Sequence, residues 1–308
     1  VDNLTHSLIG AVLGQAGLKR RTGLAMPALI IGANIPDIDA TCTIYGIESL
    51  AMRRGITHGP IAMVLLPLLL GGALWWFDRW QARRGTRPES RPEVRPGWLL
   101  ALCFIGTLSH PAADWLNTYG IRLLEPFSSR WFYGDVLFII DPWLWAILGI
   151  GLWLSLRRER GGAARPFRPA RVAVLAVLGY VGLNLAISRH VEFLAAGDAP
   201  YAPVNVASPV PLAFWQREVL WRTADGHYGS MDCTIAGCER YPMTVRKTNA
   251  APPGLRQAAA ADPAARAFLF WSRMPVAEVY PDRIVLRDQR YMDPRVGDRF
   301  SVTLSPPR

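Results

Sequence analysis

The sequence predicts an all-α polytopic membrane bundle of about six apolar helices, followed by a small β-rich extracytoplasmic domain. Three observations predict it. The long apolar runs lie before residue 190, the basic residues cluster in short segments between those runs, and residues 191–308 are more polar and Pro-rich. Two domains follow, a helical transmembrane part over 1–190 and a β-rich part over 191–308, as the 308-residue length suits. The net charge of +10 does not argue for nucleic acid, because basic residues confined between apolar runs are where membrane proteins keep them.

The apolar segments run in order. The first spans Leu4 to Leu18 and ends at Lys19-Arg20-Arg21; the second spans Gly23 to Ile35 and stops at Pro36. Both are short against the roughly 20 residues a bilayer requires. The third, Pro60 to Phe77, reads as a transmembrane helix. The fourth starts at Trp98, reaches about Leu108 and continues through Pro111 if the helix tolerates a kink. The fifth covers Val136 to Leu156 and the sixth Val172 to Ile187, with several tryptophans near the span ends. The N-terminus has no basic start and no small-residue cleavage site, so Asp2 and His6 are expected to be retained.

Charge sets the orientation. Loops 19–21, 79–95 and 157–171 carry fifteen basic residues, against four (Arg53, Arg54, Arg122, Arg130) in 36–59 and 109–135. The basic loops are therefore expected on the cytoplasmic side. His6, His58, His110, Asp37, Asp39 and Asp141 then share the outer face. In the tail, Glu218–Thr223 and His227–Cys233 read as strands around a turn at 224–226. Ile284–Leu286 and Arg299–Leu304 also read as strands, and Ala258–Trp271 as a short helix. Cys233 and Cys238 suit a small disulfide in an oxidising compartment, and two free thiols suit the sequence as well.

His, Asp and Glu are costly at membrane depth, so several at the edges of apolar runs need a reason. His110 and Asp114 fall on one helical face at i and i+4, with Asn117 nearly on the same stripe. Asn34-Ile-Pro-Asp-Ile-Asp39 sets two carboxylates after a Pro, which a helix stop with a solvated turn explains equally. Thr57-His58-Gly59 starts the third run, where a cap is the competing role. A divalent metal, zinc for choice, wants imidazoles and carboxylates with one position open. The candidate ligands are His6, His58, His110 and Asp114, then Asp37 and Asp39, for one or two ions. Asp37, Asp39 and Asn117 are the candidate catalytic groups, and Arg53 and Arg54 could hold an anionic substrate. Asp2 is a candidate partner for His6, and Asp141 either faces the site or caps a helix. His190 and His227 lack a carboxylate at helical spacing and are expected to be interfacial and surface residues.

Asp2-Asn-Leu-Thr-His-Ser-Leu-Ile-Gly10, Asn34-Ile-Pro-Asp-Ile-Asp39, Arg54-Gly-Ile-Thr-His58 and His110-x-x-x-Asp114-x-x-Asn-Thr-Tyr-Gly120 together resemble the LexA-binding, inner-membrane-associated metal-dependent hydrolases. The resemblance covers roughly residues 1–190. It implies a bacterial inner-membrane protein with metal-dependent hydrolase activity. A fainter likeness is to zinc-dependent phospholipase C and the single-strand nucleases, whose order of an early His, an Asp, a His and H-x-x-x-D maps onto His6, Asp37 or Asp39, His58, His110 and Asp114. The later His and Glu ligands of that group are missing, so at most a dinuclear centre carries over. Location at the head-group level suggests membrane lipid as partner and a lipid-like phosphoester as substrate. The competing functions are a metal-binding scaffold or regulator, with the tail as its protein-interaction module, and an ion carrier. Clustering at span ends argues against the carrier, and the absence of H-E-x-x-H argues against a membrane zinc protease.

Overall fold

The computed structural model describes residues 1–198, 204–223, 227–239, 246–247, 260, 262–292 and 300–305. Seven α-helices come first: α1 (Asn3–Gln15), α2 (Ala25–Gly32), α3 (Ser49–Met52), α4 (Pro60–Arg83), α5 (Pro96–Trp115), α6 (Pro142–Arg160) and α7 (Arg168–Asp198). A β-rich region follows, with β1 (Val204–Pro209), β2 (Gln216–Arg222), β3 (His227–Thr234), β4 (Gly237–Cys238), β5 (Arg246–Lys247), α8 (Pro263–Trp271), β6 (Pro275–Val279), β7 (Ile284–Asp288) and β8 (Ser301–Leu304). The chain divides into two units, one of Val1–Ile38 with Arg54–Asn184, the other of Asp39–Arg53 with Leu185–Arg308.

The six apolar segments all contribute helices, but they are not six equal spans. Among the described residues, Pro60–Arg83 and Arg168–Ala196 are long and apolar enough to cross a membrane, each with a mean hydropathy of 1.9. At about 1.5 Å rise per residue, α4 reaches the roughly 30 Å of a hydrocarbon core. Its Val64, Leu65, Leu68 and Leu69 stay exposed, as lipid-facing side chains do. The helices α1 and α2, with 13 and 8 residues, are too short to span alone. The expected helix at Val136 begins only at Pro142, because Asp141 caps it through the N–H groups of Trp143 and Leu144, both at 3.0 Å. Upstream, the Val136 and Leu137 N–H groups donate to Leu116 O instead.

Close backbone approach holds the first unit. A Cβ on Gly10 would lie 2.7 Å from Leu29 O, and one on Gly106 would lie 2.8 Å from the same oxygen. The short α2 is therefore clasped between α1 and α5, and Ala28, Leu29, Leu99, Leu102 and Cys103 form its dry core. Asn34 Nδ2 donates to Ser7 Oγ at 3.1 Å, and Trp145 Nε1 on α6 donates to Thr5 Oγ1 at 2.9 Å and Asp2 Oδ2 at 3.2 Å.

The three basic loops meet at one end of this unit. Lys19 Nζ donates to Glu159 Oε1 at 2.6 Å, Arg171 Nε to Ala16 O at 2.8 Å, Gly23 N to Glu93 O at 3.1 Å and Arg95 N to Thr22 Oγ1 at 2.8 Å. Solvent reaches the Lys19–Glu159 pair, and Lys19 holds the Glu159 carboxyl below its ordinary value.

In the second unit, β1-β2-β3-β4 form an antiparallel sheet with β5 on β3, and β6-β7-β8 form another. The expected strands at 218–223 and 227–233 are β2 and β3, in register as Val219↔Met231 and Leu220↔Ser230. The 224–226 turn between them lies outside the described residues. So do the expected element ends at 258–259 and at 299, flanking α8 and β8. Alternation places Val219, Trp221, Met231 and Cys233 on one face, packed by Ile187, Val191 and Ala195 from the end of α7. Cys233 and Cys238 form a disulfide across β3 and β4. Asp288 and Arg290 form a buried fork at 2.8 and 2.9 Å, beneath Trp271.

Candidate metal centre

The centre is built where α1 begins and α2 and α5 end, against the turn before α4. In α5, a register of i and i+4 sends His110 and Asp114 to one buried face. The end of α2 exposes its last carbonyls, and Ala33 O accepts from His110 Nδ1 at 2.7 Å. A carbonyl can only accept, so Nδ1 carries a proton and Nε2 is the nitrogen turned toward the cluster. A 3-10 turn over Ile56–His58 brings in the second imidazole, whose Nδ1 lies 2.9 Å from the Thr57 hydroxyl. That turn packs tightly on the 120–125 segment, since a Cβ on Gly59 would lie 1.9 Å from Glu125 O. Asp37 comes from the 3-10 segment Ile35–Glu48.

Four groups converge. His110 Nε2 lies 3.1 Å from His58 Nε2, 3.5 Å from Asp114 Oδ2 and 3.6 Å from Asp37 Oδ1, and His58 Nε2 lies 3.7 Å from Asp114 Oδ2. All four ligand atoms fit within 4.8 Å of one another. A tetrahedral ion with bonds of about 2.0–2.1 Å spaces its donors by about 3.3 Å, so these edges fit a divalent cation. His58, His110 and Asp114 are buried, and Asp37 is half-buried. Burial pushes the Asp37 carboxyl up, but the hydrogen bond and charge of His110 outweigh it and hold Asp37 below its ordinary value.

His6 stacks on His110, with ring centroids 3.7 Å apart, and its Nε2 lies 3.4 Å from Asp114 Oδ1. It is fully buried, and neither ring nitrogen has a hydrogen-bond partner. The Asn117 amide nitrogen is likewise buried without one, while its Oδ1 accepts from Arg54 Nη1 at 3.0 Å and from Tyr119 N at 2.9 Å. Buried imidazoles and amides rarely go unsatisfied, so these groups stand out in the cluster.

Arg54 does more than the sequence suggested. Its Nη2 and Nε reach the two oxygens of Asp114, each at 3.0 Å, and its guanidinium lies over Tyr119 at 4.7 Å. The residue is buried and adopts a left-handed backbone with φ of 53°. Such a conformation persists only where the surroundings over-determine it. The Arg54 carbonyl is in turn held by Arg122 N at 2.9 Å. A signal for this was available, since Arg54 opens the motif that ends in His58. The Ala33 carbonyl carried none, because a backbone acceptor has no side-chain signature.

The remaining candidates fall elsewhere. Asp39 is buried and, like Arg53, belongs to the second unit. Asp2 is not a partner of His6 but the cap of α1, accepting from Leu4 N at 3.0 Å and Thr5 N at 3.1 Å. Asp141 caps α6 and accepts from the Tyr180 hydroxyl at 2.9 Å. His190 is exposed, with Nε2 3.1 Å from Ile235 O, and His227 begins β3. The amino nitrogen of Val1 lies against Asp114 Oδ1.

Neither the curated proteins nor the solved structures contain a match to this chain. A family model does match, over residues 1–191, the stretch that holds all four motifs and every group of the buried cluster. On that match the chain belongs to the YdjM inner membrane protein family.

Proposed function

We propose that the protein is a membrane-bound metal-dependent hydrolase. It acts at the outer face of the inner membrane on a phospholipid or another phosphoester. The observation that carries this is the facing pair of imidazole nitrogens, 3.1 Å apart beside two carboxylates. These facing nitrogens and the two carboxylates beside them make up the donor set that a divalent cation would take.

His58, His110, Asp37 and Asp114 would hold the ion, and a mixed nitrogen and oxygen set suits zinc. A second ion, sharing Asp114, would use His6. A divalent ion polarises a phosphoryl oxygen and brings the pKa of water to about 7. Arg54 keeps Asp114 oriented and ionised, and Ala33 O keeps His110 in the ligating tautomer. Asp37 is the least buried of the four and so the one nearest to incoming water. Asn117 Nδ2 remains to donate to substrate.

The convergence of the three basic loops at the opposite end supports an outward-facing site. A spanning α7 that starts at the basic end delivers the C-terminal region outside, where a Cys233–Cys238 disulfide persists. A second reading has a specific observation in its favour. Three of the four ligands are buried, as in a closed shell that binds metal without turnover. In that reading the protein is a scaffold with the C-terminal domain as its interaction module.

Metal analysis of detergent-purified protein, with labelled phospholipid as substrate, tests both. Bound metal with turnover supports the hydrolase, and bound metal without turnover on any phosphoester supports the scaffold. Equal metal content in wild type, His58→Ala and His110→Ala would reject the ligand set.

A further inference from the structure

At the basic end, α7 begins beside a groove of about 490 Å³ lined by Arg165, Phe167, Arg168, Arg171, Val172 and Leu175. We propose that this groove is a binding site for an anionic phospholipid, with the phosphate on Arg165 and Arg168 and an acyl chain along Val172 and Leu175.

The charge is not neutralised locally. Segment 157–171 holds six arginines and one acid, Glu159, which Lys19 already occupies at 2.6 Å. Arg171 is committed, donating to Ala16 O and lying 4.3 Å over the Phe167 ring, which Arg20 approaches at 5.4 Å. That aromatic wall is thereby fixed. Arg165 and Arg168 are exposed. Guanidinium forks match phosphate oxygens in pairs. The lower wall is different: Val172 is 64% and Leu175 68% exposed, on a helix apolar enough to cross the membrane. A cationic rim above an apolar helix face fits an amphiphile whose head is anionic. A free anion leaves the apolar wall unused, and a zwitterionic lipid leaves the charge unmatched.

The test is native mass spectrometry of the full chain in detergent, titrated with phosphatidylglycerol, phosphatidylcholine and inorganic phosphate. Retention of phosphatidylglycerol about tenfold above phosphatidylcholine is expected, falling about tenfold in Arg165→Gln/Arg168→Gln. Removing the same charge from the last turn of α6, in Arg157→Gln/Arg158→Gln, should change it little. Leu175→Gln should weaken phosphatidylglycerol as well. Equal loss in the two double variants would reduce the site to a diffuse field. Equal retention of the two lipids would overturn the anionic preference. Phosphate held as well as phosphatidylglycerol, unaffected by Leu175→Gln, would overturn the lipid assignment.

Discussion

Asp114 and Asp288 are both buried carboxylates clasped by an arginine, yet their surroundings differ in kind. Asp288 is satisfied from every side. Arg290 forks onto it, and the Ser272 hydroxyl, the Met274 N–H and the Arg290 N–H all donate to it. Around Asp114 the Arg54 fork is only the beginning. Three imidazoles and a second carboxylate crowd the same face, and His6 finds no hydrogen-bond partner. Two buried ion pairs can therefore share a motif and differ in purpose. One is complete as it stands, and the other gathers the donor set that could hold a metal ion.

The largest effect expected is on metal content. His110→Ala should take bound zinc from about one equivalent to background, measured by plasma emission on purified protein. The matching cut in the other cluster, Asp288→Asn, should leave metal content unchanged. If His110→Ala keeps its metal, the contrast between the clusters fails and the Asp114 cluster is structural too.

Next comes the cost of removing each arginine. Arg54→Met and Arg290→Met each strand a buried carboxylate, and each should lose about 3–5 kcal/mol of stability in chelator. Thermal melts monitored by tryptophan fluorescence read this. Added zinc should restore much of the loss in Arg54→Met, because the cation replaces the missing charge beside Asp114. It should restore none in Arg290→Met. Equal rescue, or none in either, would erase the distinction.

Acid separates the clusters further. Burial raises the Asp288 carboxyl, but the Arg290 charge and hydrogen bonds outweigh it and hold it below its ordinary value of 3.8. The folded state thus binds fewer protons than the unfolded one. The contribution of Asp288 is present above about pH 4 and is lost as pH falls through the lower folded value. The gap between melts of wild type and Asp288→Asn should be full and level above about pH 4 and should shrink as pH falls below it toward the lower folded value. A constant gap across that range would mean that Asp288 acts by shape alone.

Much of the Asp114 cluster was legible in the sequence because its chemistry is unusual for its position. His58, His110, Asp37 and Asp114 stood out as ionisable groups at the edges of apolar runs. The rest was hidden for identifiable reasons. Asp2 and Asp141 have the same composition as ligands, but local N–H groups claim them, and only the backbone shows that. Arg54 was read as a substrate anchor because a fork suits phosphate and carboxylate alike. The sequence already showed the first two apolar segments as short for a span, and α1 and α2 are indeed 13 and 8 residues long. The Asp288 cluster gave no signal at all. Its members are ordinary residues, and only packing under Trp271 makes them a buried pair.

The smallest effect calibrates the comparison. Lys19 and Glu159 pair at 2.6 Å at the basic end, with side chains still partly open to solvent. Water has already screened both charges, so little desolvation was lost and little attraction remains. Lys19→Met should therefore cost about 0.2–1 kcal/mol, and about 1 M salt should remove that difference, since the screening length falls to about 3 Å. The same salt should leave the Arg54→Met deficit nearly intact, because bulk salt screens a fully buried carboxylate poorly. Melts of both variants at low and high salt make the check. If salt rescues Arg54→Met as fully as Lys19→Met, then the Asp114 pair is screened like a surface pair and its contrast with Lys19–Glu159 fails.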